Sequence, residues 1–229
     1  MSFDPDRIGP DFIAYIKRIQ THANYEAHAF RLAKTLQMRV RVGLLNRAYP
    51  SNTSQSVIVL QPWYYGWSSE VLFHEIAHVL VFWSGLETNI IKEFGPDAGW
   101  KIIEKLCNQA IAFLRIPQPV VDAAVKKHGI TARTIIELMR QTNVTYQMAM
   151  DRLVLDKPAD ARAAFLINNG KYVSGVSICN MRLPFWIGSR VPEPRIVLPR
   201  ASLFRLPHGL GILGLERGGH IDDWYWEPA

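Results

Sequence analysis

The chain has 229 residues, and its 26 Lys and Arg against 20 Asp and Glu give a formal net charge of +6. A hydrophobic content of 48% and a charged content of 20% exclude an intrinsically disordered chain and are typical of a globular protein with a sizeable core. Two cysteines, Cys107 and Cys179, exclude a disulfide-built secreted scaffold. Residues 1–10 lack the apolar run of a signal peptide, and no stretch is apolar enough for a membrane span, so we expect a cytoplasmic protein.

The spacing of apolar residues predicts a mainly helical chain as far as residue 155. The predicted helices are 10–20, 24–37, 68–84, 96–116, 120–128, 131–141 and 145–155, and the predicted strands are 39–44 and 56–60, joined by a loop at 46–55. Ser68 or Ser69 can cap the start of the helix at 68–84, and Gly85 can end it. Pro96 suits the first turn of the helix that follows.

The composition changes after Pro158. Prolines become frequent, and turn pairs such as Gly218-Gly219 separate short apolar runs. We therefore predict a small β-rich appendage at 161–229. It is basic, because residues 162–205 contain seven Lys or Arg and a single acid, Glu193. Such a segment can face nucleic acid or an acidic partner, although a solvated surface is the favoured interpretation.

An H-E-x-x-H motif lies within the predicted helix at 68–84, where the sequence reads His74-Glu75-Ile76-Ala77-His78. Two histidines four positions apart lie one turn apart on the same helix face, so both imidazoles can reach one ion. The Glu75 carboxylate lies near the same edge and can take a proton from a water molecule. Imidazole and carboxylate donors suit zinc with one open position. The alternative is a pair of core histidines beside an exposed Glu75.

A hydrolytic zinc site needs a third protein ligand. No histidine follows at the metzincin spacing. Glu87 and Glu93 follow in a stretch that glycine and proline interrupt, with no regular helical frame. Glu104 lies on the next predicted helix and would complete a His₂Glu set. Spacing alone leaves this role balanced against that of a surface acid paired with Lys101 or Lys105.

The segment from Glu104 to Pro117, EKLCNQAIAFLRIP, resembles the second signature of the ImmA/IrrE family of metallo-endopeptidases. In that signature a Glu is followed by Ala/Cys-Asn, by Phe-Ala-Ala and by a leucine-rich run that ends in Pro. The family's H-E-L-A-H is similar to the motif at 74–78, with Ile76 in place of Leu. Segments 130–138 and 149–153 resemble the family's helical module, so the resemblance covers about residues 25–156.

The resemblance implies that His74, His78 and Glu104 bind one Zn²⁺ and that Glu75 is the general base. It also implies the activity: a zinc endopeptidase that cleaves and inactivates a helix–turn–helix repressor of the Xre/Cro type. Cleavage would relieve repression of stress-response or mobile-element genes. The departures, Ala110-Ile111 in place of Phe-Ala and Arg115 within the leucine-rich run, bear on substrate specificity more than on the metal site.

Two further parts of such an active site have candidates. The oxyanion of the transition state needs a second donor besides the metal, and Tyr64, Tyr65 and His28 are unranked candidates. The strand at 56–60 is a candidate for the sheet edge along which an extended substrate lies.

Together these features predict an α+β fold in three parts. The first part, 1–120, is a mainly helical, zincin-like metallopeptidase domain with a small antiparallel sheet. The second, 121–160, is a helical module of helix–turn–helix type. The third, 161–229, is the basic, proline-rich β appendage.

Two other functions stay open at this point. The first is a DNA-binding regulator that uses residues 131–155, with Gln147 and Arg152 on its second helix; Asp151 on the same helix disfavours it. The second is an antagonist that binds a repressor without cutting it. Near the C terminus, His220, Asp222 and Asp223 could hold a second ion, but an exposed turn is favoured there.

Overall fold

The computed structural model describes residues 4–66 and 69–218. The roles predicted for Ser68, Gly219, His220, Asp222 and Asp223 lie outside the described residues. The fold is α+β, as predicted. Contacts divide the chain into two units, Met1–Pro119 and Val120–Ala229, whereas the finer division at residue 160 stays a prediction. No helix in the described part of the chain has the length and apolarity to cross a membrane.

The first unit contains four α-helices and three short strands among the residues that the structure describes. The helices are α1 (Ile8–His22), α2 (Ala29–Thr35), α3 (Glu70–Trp83) and α4 (Leu86–Arg115), and the strands are β1 (Arg39–Val42), β2 (Arg47–Tyr49) and β3 (Val57–Leu60). Strand β3 is central: it pairs in parallel with β1 and antiparallel with β2. The prediction that 56–60 forms a sheet edge is therefore wrong. Ile58 and Leu60 are fully buried, as befits a central strand.

Strand β2 occupies part of the predicted loop at 46–55. It has only three residues, so no alternation of apolar and polar positions can reveal it. Its pairing with β3 comes from tertiary structure, and it leaves β2 as one edge of the sheet.

Helix α3 is the buried helix of this unit. Its start is set by Ser69, whose side-chain oxygen accepts a hydrogen bond from the Leu72 N–H at 3.2 Å. Eight of its residues are buried, Leu72, Phe73, Glu75, Ile76, Ala77, Val79, Leu80 and Val81. The helix packs against α4 on one side and against β2 and β3 on another. The apolar residues that flank the motif thus place this helix inside the core.

Helix α4 is kinked at Gly95, which has φ 76° and ψ 168°. Only glycine adopts this conformation readily. Pro96 then begins a new first turn, as predicted. The section from residue 86 to 94 is also helical, although Gly95 and Pro96 make that stretch look irregular in the sequence. The kink lets one continuous segment supply two differently directed helical sections.

The second unit is built on a sheet against which helices of the unit pack. It includes α5 (Gln118–His128), α6 (Ala132–Thr142), α7 (Tyr146–Val154), α8 (Pro194–Val197), β4 (Arg162–Asn168), β5 (Val173–Cys179), β6 (Ser202–Arg205) and β7 (Gly211–Arg217). The sheet is antiparallel with order β5-β4-β7-β6. Helix α6 packs against β6 and β7, and α7 packs against β4 and β5. A second apolar cluster that includes Phe165, Phe185 and Leu198 lies between the strands and the 183–201 segment.

Candidate metal centre

The imidazoles of the H-E-x-x-H motif and the Glu104 carboxylate converge on one point. His74 Nε2 and His78 Nε2 are 3.1 Å apart. Glu104 Oε2 lies 3.2 Å from His74 Nε2, and its Oε1 lies 3.3 Å from His78 Nε2. The first two residues come from α3 and the third from the second section of α4, so the packing of α3 against α4 assembles the group.

These separations fit a single tetrahedral ion. Donors about 2.0–2.1 Å from a tetrahedral centre lie about 3.3–3.4 Å from one another, close to the three distances observed here. Among the described residues, the trio is a group of potential ligands whose donor atoms all lie within 4.8 Å of one another. Two nitrogens and one carboxylate are the donor set that zinc accepts while keeping a fourth position open. The residues present therefore fit the metal that the motif implies.

Burial differs among the three residues. The side chains of His74 and His78 are 21% and 18% exposed, whereas that of Glu104 is 50% exposed. The buried helix α3 thus fixes the imidazoles, and Glu104 closes the site from the solvent side. Burial, followed by the nearby His74, lowers the pKa of His78, against the opposing effect of Glu104. A lowered pKa keeps the imidazole neutral, which is the form that binds a metal.

Glu75 lies on the same helix and is buried, with only 7% of its surface exposed. The exposure of Glu75 that the alternative assumed is therefore wrong. Its carboxylate accepts a hydrogen bond from the backbone N–H of Ala48 in β2. Burial raises the pKa of Glu75 to about 7; the hydrogen bond from Ala48 and the charge of Arg47 lower it, and Glu104 raises it. A carboxyl group with such a pKa can both accept and return a proton near neutrality.

The two other acids that the sequence offered as third ligands lie apart from the trio. Glu87, in the first section of α4, lines the same cleft as His74 and His78 but does not belong to the convergent group. Glu93 is exposed and does not line the cleft.

A cleft of about 580 Å³ opens in front of the trio. One wall is the edge strand β2 with its neighbours, residues 46–50, and another is α4 with Trp100. Trp100 precedes Glu104 by one helical turn, so its ring lies on the same helix face. The sequence did not single out Trp100, Arg47 or Tyr49. The only signal in the sequence for Trp100 was an aromatic residue one helical turn before the candidate ligand Glu104. Nothing in the sequence indicated the position of β2.

The three proposed oxyanion donors do not line this cleft. Tyr65 instead packs edge-on against Phe30, with ring centroids 5.6 Å apart. His28 also neighbours Phe30. Arg47 and Tyr49 do line it from the β2 side, and the Arg47 guanidinium lies over the Tyr49 ring, 5.5 Å from its centroid.

Helix α7, the second helix of the predicted DNA-binding module, packs against the sheet. Arg152 is 1% exposed and forms an ion pair with Asp156. The side-chain amide of Gln147 donates to the carbonyl of Val176 on β5 at 3.0 Å. Neither side chain is free to read a base edge, which removes the residues on which the DNA-binding hypothesis depended.

Comparison with known proteins gives partial matches. No profile of a known protein family matches the chain. The chain is similar to the radiation response metalloprotease IrrE of Deinococcus deserti, with 32% identity over 80 residues, covering 34% of this chain and 28% of that protein. The IrrE of Deinococcus radiodurans is 30% identical over 88 residues, covering 38% of this chain and 27% of that protein. The matched region thus spans less than a third of either relative, and it supports an IrrE-like relationship for that part of the chain.

A solved structure shares the fold over most of the chain. It is described as a Mycobacterium tuberculosis transcriptional regulator, with a TM-score of 0.54 and 15% identity, and the match covers 92% of this chain and 77% of that one. At this identity the likeness concerns the fold alone.

Proposed function

We propose that the protein is a zinc-dependent endopeptidase that cleaves and inactivates a helix–turn–helix repressor of the Xre/Cro type. The observation that carries the proposal is the convergence of His74, His78 and Glu104 next to a buried Glu75, in a cleft bounded by an edge strand. The partial similarity to metalloproteases supports the same reaction class.

The trio would hold the metal through His74 Nε2, His78 Nε2 and the Glu104 carboxylate. When bound, zinc polarises the substrate carbonyl and makes water acidic enough to attack at neutral pH. Both imidazoles come from one buried helix, so their geometry changes little when substrate enters.

Glu75 is the proposed proton carrier. Its carboxylate accepts a proton from the attacking water and returns it to the amide nitrogen as the peptide bond breaks. The Ala48 N–H holds one face of the carboxylate and thereby orients it towards the cleft. Burial raises the pKa of this carboxyl group to about 7, and a pKa near neutrality suits both steps.

Strand β2 is the proposed support for the substrate. It is a sheet edge that lines the cleft, so an extended peptide can add to it as a further strand. Arg47 and Tyr49 also line the cleft, and their guanidinium and hydroxyl groups are the proposed donors to the oxyanion of the transition state.

The repressor is the proposed substrate because of the resemblance to the ImmA/IrrE family, which the matches to IrrE support. The test uses the purified chain, loaded with one equivalent of Zn²⁺, and the Xre/Cro-type repressor encoded nearest to its gene. We expect two repressor fragments that define a single scissile bond by mass spectrometry. Glu75→Gln should bind zinc as the wild type does and lose cleavage by about 10²–10⁴-fold.

The same assay separates proteolysis from antagonism. If wild type and Glu75→Gln release the repressor from its operator equally, and the repressor stays intact, the protein is a binding antagonist and the endopeptidase proposal is wrong. An intact repressor that also stays on its operator contradicts the choice of substrate.

A further inference from the structure

Glu87 is an acid in the cleft to which the proposed reaction gives no role. It lies in the first section of α4, is half-buried, and lines the cleft together with His74 and Glu75. Among the residues that the structure describes, no Lys, Arg or His forms an ion pair with it. A half-buried acid without a basic partner leaves its negative charge available to a ligand.

The other carboxylates of the cleft have compensating groups. Glu104 belongs to the trio that fits a metal ion. Glu75 accepts a hydrogen bond from the Ala48 N–H, and the positive charge of Arg47 lowers its pKa. For Glu87, burial alone raises the pKa, and no basic group opposes it. All three carboxylates nevertheless line the same cleft.

Two aromatic rings share the cleft with this carboxylate. Tyr49 on β2 is 51% exposed, and Trp100 on α4 is 47% exposed. Half-exposed rings in a cleft offer flat apolar walls to the methylene chain of a long side chain, and their faces attract cations. A carboxylate without a basic partner in the same cleft as two such rings matches the chemistry of lysine and arginine, which carry a charge at the end of an apolar stem.

We propose that Glu87, Trp100 and Tyr49 form a subsite that selects a lysine or arginine side chain of the substrate beside the scissile bond. This inference rests on the proposed function for the metal and for a peptide ligand. Glu87 is a specificity residue here, because it would contact the substrate side chain rather than the reacting atoms.

Arg47 does not compensate Glu87 in this arrangement. It lies over the ring of its neighbour Tyr49 at 5.5 Å, and its charge acts on Glu75. The positive charge of Arg47 thus acts on Glu75 in the proposed reaction centre. The negative charge of Glu87 is therefore available to pair with a cationic ligand.

The test compares two hydroxamates that differ only in the side-chain charge, Nα-acetyl-lysine hydroxamate and Nα-acetyl-norleucine hydroxamate. The hydroxamate group anchors both compounds on zinc, so the side chain reports on the neighbouring subsite. Binding to the full zinc-loaded chain is measured by calorimetry. We expect the lysine compound to bind about tenfold more tightly than the norleucine compound, the size expected for a hydrogen bond to a charged group.

Glu87→Gln should bring the two affinities to within about twofold by weakening the lysine compound alone. Glu93→Gln removes an exposed acid of the same helix outside the cleft and should keep the tenfold preference. If Glu87→Gln fails to fold, as judged by its melting curve and zinc content, Trp100→Leu provides a second variant. It should weaken both compounds, because both lose an apolar wall, and it should weaken the lysine compound more, because the cation also loses an aromatic face.

Equal affinities of the two compounds for the wild type would overturn the subsite, as would a preference that survives in both Glu87→Gln and Trp100→Leu. Failure of both compounds to bind the zinc-loaded chain would overturn it too. The binding result is independent of proteolysis: a preference for lysine with no cleavage of any repressor sustains the subsite and contradicts the endopeptidase, whereas cleavage without the preference does the reverse.

Discussion

Glu104 Oε2 lies 3.2 Å from His74 Nε2, a distance at which a carboxylate and an imidazole on two different helices can share one ion. The contact depends on the packing of α3 against the second section of α4. Helix α3 is buried and fixed by its Ser69 cap. The position of α4 therefore determines whether Glu104 reaches the histidines.

The first prediction concerns zinc affinity. Glu104→Gln should lower the affinity for Zn²⁺ by at least about 100-fold, because two imidazoles remain and the anionic ligand is lost. Competition with a chromophoric chelator measures the affinity, and the zinc-induced rise in melting temperature should shrink in parallel. Glu93→Gln is the matched control and should bind zinc as the wild type does. Equal affinities of Glu104→Gln and the control would exclude Glu104 as a ligand.

Local signals made part of this site predictable from the sequence. The apolar residues of α3 and its cap are close in sequence to the motif, so the helix that carries His74 and His78 could be placed. Spacing alone did not decide whether Glu104 is a metal ligand or a surface acid. Only the resemblance to the family favoured the ligand role. Strand β2 could not be predicted, because three residues have no period and their pairing with β3 is set by distant contacts.

The second prediction concerns the backbone N–H of Ala48, which contacts Glu75, the proposed general base. Ala48→Pro removes this donor, because proline has no N–H, so the Glu75 carboxylate loses its fixed orientation. Cleavage should fall about 10–100-fold, while zinc affinity stays unchanged. Ala48→Ser keeps the N–H and should retain activity. The decisive comparison is the ratio of the two cleavage rates at equal zinc content, and a ratio near one would show that Ala48 does not position Glu75.

The third prediction concerns the kink in α4. Gly95 has φ 76° and ψ 168°, and no atom lies within 4 Å of where a Cβ would stand, so the cost of a side chain comes from the backbone alone. Gly95→Ala should lower the free energy of unfolding by about 1–3 kcal/mol. Gly9→Ala, in the helical conformation of α1 and equally open, should be neutral or slightly stabilising. Urea unfolding measures both variants, and equal effects would contradict the strain argument.

The fourth prediction concerns pH. Burial raises the pKa of Asp151 to about 6 against an ordinary value of 3.8, so the folded protein holds this proton more tightly than the unfolded chain. The Asp151 contribution to the free energy of unfolding therefore decreases as pH rises from about 4 to about 6. Asp151→Asn keeps an acceptor for the Gln147 amide and removes the charge. It should be more stable than the wild type by about 1–2 kcal/mol at pH 7.5 and by no more than about 0.5 kcal/mol at pH 4.

Urea unfolding at both pH values provides the measurement. The control is Glu193→Gln, which removes an exposed acid of the same unit. A difference between Asp151→Asn and wild type that is the same at both pH values would show that Asp151 titrates alike in the folded and unfolded chains.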